Sequence, residues 1–153
     1  METSRQRLLD AVATASREFQ RSVDAVDDAV AKQLGVNRTD LRTLDVLYDG
    51  PATPSALAAA TGISPAAMTA ALDRLEGRGY VRRVRDTADR RRILVEVPEE
   101  MRRAAGRLYG PIAAEGAEFV SRYTDAELAL LGEFLRTGKD LQDRHRARIA
   151  QLP

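Results

Sequence analysis

Arginine accumulates in one short stretch of this 153-residue chain. Between Asp73 and Arg92, eight arginines accompany four acidic residues, an excess of four positive charges in a chain whose net charge is only +1. Guanidinium groups bind phosphate oxygens and base edges through several donors at once. Positive charge that is concentrated in one segment therefore indicates a nucleic-acid contact. A solvated charged loop is the alternative explanation on charge alone.

Other chemistries have few residues to support them. Cysteine is absent and His145 is the only histidine, so disulfides, thiolate metal sites, thiol sensors and cysteine nucleophiles are excluded. No nucleophile–base pair and no glycine-rich phosphate loop is present, so we expect neither an enzyme nor a metal or other cofactor. No apolar run reaches the length of a membrane span, and the first residues lack a secretory signal, so we expect a cytoplasmic protein without a membrane partner.

A helix-turn-helix precedes the arginines. Thr53-Pro54 and Ser64-Pro65 each pair a capping residue with a proline at the first helical position, and Gly62 between them is a natural helix terminator. The pattern predicts a helix of about eight residues and a second of about twelve, the spacing of a helix-turn-helix. On the second helix, Met68, Leu72 and Leu75 are expected to face the core.

A two-stranded hairpin follows. Residues 80–85 are predicted to form the first strand, and residues 86–89 the turn. Ile93, Val95 and Val97 alternate with Arg92, Leu94 and Glu96 in the second strand. Since arginines cluster at the tip of this hairpin, the segment indicates a winged helix. The predicted fold class is mainly α with a small β-hairpin.

Long amphipathic helices flank this core. Apolar residues at spacings of three, four and seven predict a first helix ending near Gly35, followed by a helix capped by Asn37. The buried stripe of that second helix is predicted to hold Leu41, Leu44, Leu47 and Tyr48. Beyond Pro98 the helical pattern returns, with a kink or break expected near Gly110-Pro111 and a capping box at 124–127. We expect one domain over 1–153, with the winged-helix core at 36–98 and dimerisation helices at 1–35 and 99–153.

Three segments resemble the multiple antibiotic resistance regulator (MarR) family of bacterial transcription regulators. They read LAAATGIS over 57–64, LDRLEGRGYVRR over 72–83 and DTADRRRILVEVP over 86–98. The chain departs from the family in two places. Val97-Pro98 replaces the usual Leu-Thr, and Ala70 stands where many members carry an arginine that enters the major groove.

The resemblance implies a recognition helix in the major groove and a wing at the minor groove of double-stranded DNA. On the recognition helix, hydroxyls, apolar groups and one guanidinium are the candidate contacts, carried by Ser64, Pro65, Ala66, Thr69, Ala70 and Arg74. On the wing, the candidates are Arg85, Arg90 and Arg91. Asp89 is expected to orient an arginine or to cap the turn. Arg82, Arg83 and Arg92 are expected to divide between phosphate contacts and ordinary ion pairs.

The resemblance also implies a homodimer that acts as a repressor on a pseudo-palindromic operator and is released by a small aromatic or anionic effector. The expected dimerisation residues are Leu8, Val12, Phe19, Leu128, Leu131, Phe134 and Leu135. An intramolecular core is the other reading of these side chains. Two further functions stay open: a winged helix that binds only protein, and a metal-free regulator related to the arsenic repressor (ArsR) family.

Overall fold

A computed structural model describes residues 3–152. In chain order the elements are α1 (Ser4–Leu34), α2 (Arg38–Tyr48), α3 (Pro54–Thr61), α4 (Pro65–Gly77), β1 (Arg82–Arg85), β2 (Ile93–Glu96), α5 (Glu99–Val120) and α6 (Asp125–Ile149). The chain forms two compact units that divide at Gly106, inside α5.

Local capping sets the helix boundaries. The side chains of Thr3, Asn37, Thr53, Ser64 and Thr124 each accept a hydrogen bond from the backbone N–H three residues on. Each such bond satisfies one of the amides that a helix start leaves without a partner. At the other end, α1 and α3 stop at Gly35 and Gly62, whose φ angles of 64° and 74° lie in the left-handed region.

The core lies between α2, α3, α4 and the hairpin. Leu47, Leu57, Leu75 and Val95 have no exposed surface, and Met68 and Leu72 are 1% exposed. The predicted inner face of α4 is therefore confirmed. Helices α3 and α4 bend by 110° at their junction, which is the geometry of a helix-turn-helix.

The hairpin is antiparallel and pairs Arg82 with Glu96 and Arg85 with Ile93. Ala52 adds an isolated bridge to Val95, with backbone hydrogen bonds of 3.0 and 2.8 Å. The mainly α fold with a small hairpin is confirmed. The first strand starts at Arg82 rather than at residue 80, because the Tyr80 N–H closes the end of α4 by donating to the Leu75 carbonyl at 2.9 Å.

One local expectation was wrong: Tyr48 is not part of the buried stripe of α2. It is 60% exposed, since it ends α2 on the solvent side and has the Arg102 guanidinium over its ring. In β2, Ile93 at the outer end is 40% exposed, whereas Val95 and Val97 are buried. Of the kink or break expected near Gly110-Pro111, the break is not observed, because Pro111 lies inside the continuous helix α5.

The apolar stripes of the terminal helices remain exposed. Helix α1 buries only Val30 and Ala31, and α6 buries none of its described residues. All seven expected dimerisation residues are at least 38% exposed, among them Phe19 at 67% and Phe134 at 51%. Neither unit buries these side chains within itself.

No single helix within residues 3–152 is long and apolar enough to cross a membrane. Only the bent pair α3 and α4 passes by length and composition together. The large apolar side chains of that pair, Leu57, Met68, Leu72 and Leu75, are the buried centre of the winged-helix core.

Candidate nucleic-acid interface

The structure divides the eight clustered arginines into two groups. Five are engaged by acids, a carbonyl or a ring of the protein, and three have no polar partner for their guanidinium groups within the described residues. This division decides which guanidinium groups can bind another molecule without first breaking a contact at home.

The engaged arginines fasten the hairpin to the helices. Arg82 donates from Nε to Glu96 at 2.7 Å, across the strand pair. Arg83 donates to Asp73 at 2.7 Å and also to Glu76, so it connects β1 to the last turns of α4. The hydrogen bond with Asp73 raises the pKa of the Arg83 guanidinium further above its usual range.

Two more engaged arginines have structural partners. Arg78 donates to the Gly35 carbonyl and lies over the Tyr80 ring, 5.7 Å from its centre. The Tyr80 hydroxyl donates to the Leu34 carbonyl at 2.9 Å, so both side chains satisfy carbonyls at the end of α1. Arg92 stands 3.8 Å from Asp86, the longest of these pairs.

The remaining three arginines, Arg85, Arg90 and Arg91, are exposed. Arg85 ends β1, and the other two lie on the wing tip, which we define as residues 86–92. Because the other arginines of the segment are engaged, the charge available for binding is concentrated at this end of the hairpin.

The wing tip is ordered by its own acids. Asp86 accepts from the Ala88 N–H at 2.8 Å, and Asp89 accepts from the Arg91 N–H at 3.0 Å. The Arg92 N–H donates to the Asp89 carbonyl at 2.9 Å and the Asp86 N–H donates to the Arg92 carbonyl at 3.0 Å. Such side-chain turns hold the backbone without occupying any guanidinium. Asp89 thus caps the turn that carries Arg90 and Arg91.

The exposed side of α4 is short of free hydrogen-bond donors. Ser64 accepts from the Ala67 N–H at 3.2 Å, and the Thr69 hydroxyl donates to the Pro65 carbonyl at 3.0 Å. Pro65, Ala66 and Ala70 are exposed and carry only apolar groups. This surface is therefore smooth, and thymine methyl groups are the base features that it matches.

Arg74 is the exception on this helix, because a buried acid holds it. Its Nη2 donates to Asp40 Oδ1 at 2.7 Å and its Nε lies 3.4 Å from Oδ2. The Asp40 side chain is 6% exposed, whereas that of Arg74 is 49% exposed. The hydrogen bond raises the pKa of the guanidinium further above its usual range.

Asp40 is not among the site residues that the sequence predicted. It lies 34 residues before its partner, and that separation hides the pair from any local pattern. A signal was present nonetheless: Asp40 precedes Leu44 and Leu47 by four and seven residues, which puts it on the buried stripe of α2. An acid on such a stripe requires a cation.

Arg38, the first residue of α2, forms ion pairs with α1. Its Nη2 lies 2.5 Å from Asp24 Oδ1 and its Nη1 lies 3.6 Å from Asp28 Oδ1. These are exposed ion pairs, so they lower the availability of Arg38 without adding much stability.

Known proteins resemble this chain in sequence and in fold. Residues 34–92 match the sequence profile of the MarR family. An uncharacterised HTH-type transcriptional regulator of Bacillus subtilis, YcgE, is 34% identical over 124 residues, which is 80% of either chain. The crystal structure of RV1404 from Mycobacterium tuberculosis aligns with 92% of this chain and 95% of its own, at a TM-score of 0.63 and 26% identity.

A MarR family protein from Bacillus stearothermophilus shares the fold at a TM-score of 0.66. It is 17% identical, and the alignment covers 90% of this chain and 97% of that one. The matched profile is that of the MarR family rather than of the arsenic-repressor family, which was the nearest alternative.

Proposed function

The chain belongs to the MarR family of transcriptional regulators, which is not a family of enzymes, and from that premise we propose that it is a homodimeric repressor of a pseudo-palindromic operator. Each winged-helix core would place α4 in the major groove and the wing at the minor groove. The protein would act in the cytoplasm, on the bacterial nucleoid.

One observation carries the proposal. Five of the clustered arginines are engaged within the protein; of the unengaged three, Arg90 and Arg91 lie on the ordered wing tip and Arg85 precedes it at the end of β1. A narrow minor groove has an enhanced negative potential that attracts inserted arginine. Arg90 and Arg91 would enter that groove, and Arg85 would contact the adjacent phosphates.

On α4, the proposed contacts are of two kinds. The exposed apolar groups of Pro65, Ala66 and Ala70 would meet thymine methyls, and the hydroxyl groups of Ser64 and Thr69 would hydrogen-bond to bases or phosphates. Arg74 would supply the guanidinium. Since Ala70 replaces the arginine common in the family, base reading would depend less on guanine than in those members.

Dimerisation is supported by the exposed apolar stripes. Leu8, Val12 and Phe19 line one side of α1, and Leu128, Leu131, Phe134 and Leu135 line α6. Contiguous exposed apolar surface on this scale marks an interaction surface. A two-fold dimer would space the recognition helices by about one turn of DNA, roughly 34–36 Å, which would require a pseudo-palindrome.

Repression would follow from occupation of the operator. Release would require a ligand with a higher affinity for a dimer whose recognition helices are misplaced. The family resemblance supports a small aromatic or anionic compound in that role.

The first test is a gel shift with the DNA upstream of the protein's own gene, with competitor DNA and a salt series. Binding that resists competitor would support a sequence-specific regulator and supply the operator for transcription and ligand assays. Weak binding that competitor removes, on this fragment and in selection from random duplexes, would overturn the proposal. A protein-binding winged helix would then be the better explanation.

A further inference from the structure

We propose that Asp40 is a positioning residue for DNA recognition, which fixes Arg74 so that the free end of its guanidinium binds an acceptor on the operator. This inference rests on the proposed function, because it concerns the same recognition helix. The acceptor is a pair of oxygen or nitrogen atoms on DNA, either phosphate oxygens or the O6 and N7 atoms of guanine.

The geometry of the pair leaves part of the Arg74 guanidinium free. Asp40 engages the side of the guanidinium that carries Nε and Nη2, at 3.4 and 2.7 Å. An arginine has five N–H donors. Since two face Asp40, the two donors on Nη1 and the second one on Nη2 remain, and Nη1 has no protein partner within residues 3–152.

The two side chains of the pair differ in burial. The Asp40 side chain is 6% exposed and the Arg74 side chain is 49% exposed. The Asp40 end of the pair is therefore buried on α2, while the Arg74 end reaches solvent. An arginine held in this way loses little conformational freedom on binding, so each contact that it makes costs less entropy than one from a free side chain.

Arg74 lies on the same side of α4 as two alanines. Along α4 it follows Ala66 and Ala70 by eight and four residues, so all three lie on one side of the helix. Ala66 and Ala70 have no side-chain donor, and the Thr69 hydroxyl already donates to Pro65. Arg74 is thus the residue of this surface that retains several free donors.

The other acids near α4 pair with a different arginine. Asp73 and Glu76 face Arg83, which fastens the wing, and they leave Arg74 untouched. Asp40 alone engages Arg74 among the ion pairs of the described chain. Substitution of Asp40 should consequently act on DNA binding through Arg74.

The sign of the expected effect makes the test decisive. Removal of an acid near DNA strengthens binding to any sequence if charge alone matters. We expect the opposite for Asp40→Asn on the operator: a loss of roughly tenfold, at the lower end of the cost of losing one arginine contact. Affinity for a random duplex should stay unchanged or rise if the acceptor is a guanine edge, and should fall together with operator affinity if the acceptor is phosphate. The matched control is Asp49→Asn, which removes the same charge at the exposed residue that follows α2, where the described chain forms no ion pair.

A double-mutant cycle tests whether Asp40 works through Arg74. In an Arg74→Met background, Asp40→Asn should change operator affinity by less than about twofold, because the two residues act as one unit. An equal tenfold loss in both backgrounds would overturn the proposal, since Asp40 would then act on the fold alone. All affinities are referred to the active fraction found by stoichiometric titration, and thermal melts check that each variant is folded.

If a variant at Asp40 does not fold, Arg74→Lys provides a second test, because it keeps the positive charge and can still pair with Asp40. We expect it to bind the operator roughly tenfold more weakly, because an ammonium cannot span two acceptors. In Arg74→Met, which removes the charge, a salt slope lower by about 1 identifies phosphate as the acceptor, and a loss confined to one base pair identifies guanine. Wild-type affinity in Arg74→Lys would overturn the proposal. If wild-type protein itself fails to prefer any sequence, the proposed function fails instead.

Discussion

The winged-helix core and the terminal helices solve the problem of apolar surface in different ways. In the core, Leu47, Leu57, Leu75 and Val95 are completely buried by a single chain. In α6, none of the described residues is buried, although the helix carries a leucine-rich stripe. A single chain can therefore bury the core of the winged helix, the part that is proposed to contact DNA. The terminal helices leave apolar surfaces that a second copy is proposed to cover.

The largest expected effect is on the core. Leu75→Ala should lower the free energy of unfolding by about 2–5 kcal/mol, because it removes a fully buried side chain and leaves a cavity. Leu130→Ala, the same substitution at an exposed position of α6, should change it by less than about 0.5 kcal/mol. Urea unfolding of both variants measures the contrast. Equal losses would mean that α6 has a core of its own.

The second effect is on the proposed dimer. Leu131→Asp should shift the protein toward monomers and weaken operator binding by about a hundredfold, since two linked half-sites bind far more tightly than one. Sedimentation and gel shift measure the two quantities. Ala129→Asp, on the other side of α6, is the matched control and should leave both unchanged. A Leu131→Asp variant that stays dimeric would remove α6 from the interface.

The third effect is confined to the wing. Arg90→Ala together with Arg91→Ala should weaken binding to all DNA by at least about tenfold and lower the salt slope by up to about 2. The oligomeric state should not change, which separates this variant from Leu131→Asp. Arg82→Ala is the control, because that guanidinium already faces Glu96. Unchanged affinity and slope in the wing variant would exclude the wing from DNA binding.

The smallest effect is electrostatic. Burial, and then the negative charges of Asp27 and Asp49, raise the pKa of Asp45 above its usual value. A raised pKa in the folded state means that protonation favours folding, so the ionised carboxylate destabilises the protein at neutral pH. Asp45→Asn should stabilise it at pH 7 by less than about 0.5 kcal/mol, a value discounted for solvent screening.

That gain should shrink as the pH falls below the pKa of Asp45, because the wild-type carboxyl is then neutral as well. Thermal melts at pH 7 and at about pH 3.5, below the ordinary aspartate value, measure the difference. Asp10→Asn on α1 serves as an exposed control. A stabilisation that grows toward acid would contradict the stated sign.

Local chemistry made the element boundaries predictable. Asn37, Thr53, Ser64 and Thr124 cap helices where the sequence placed them, since each cap joins atoms only three residues apart. Departures occurred where distant residues intervened. Arg102, on α5, lies over the Tyr48 ring and donates to the Tyr48 carbonyl at 3.2 Å, which fixes the exposed end of α2.

By itself, the sequence determined the class of fold, the positions of the helix ends and the segment that holds the excess positive charge. The tertiary structure decided which arginines of that segment remain available. Arg74 meets Asp40 across 34 residues, Arg78 meets Gly35 across 43 and Arg82 meets Glu96 across 14. Contacts of this kind depend on how separate elements pack, and no spacing rule along the chain can specify them, because the partners become neighbours only after the core has formed.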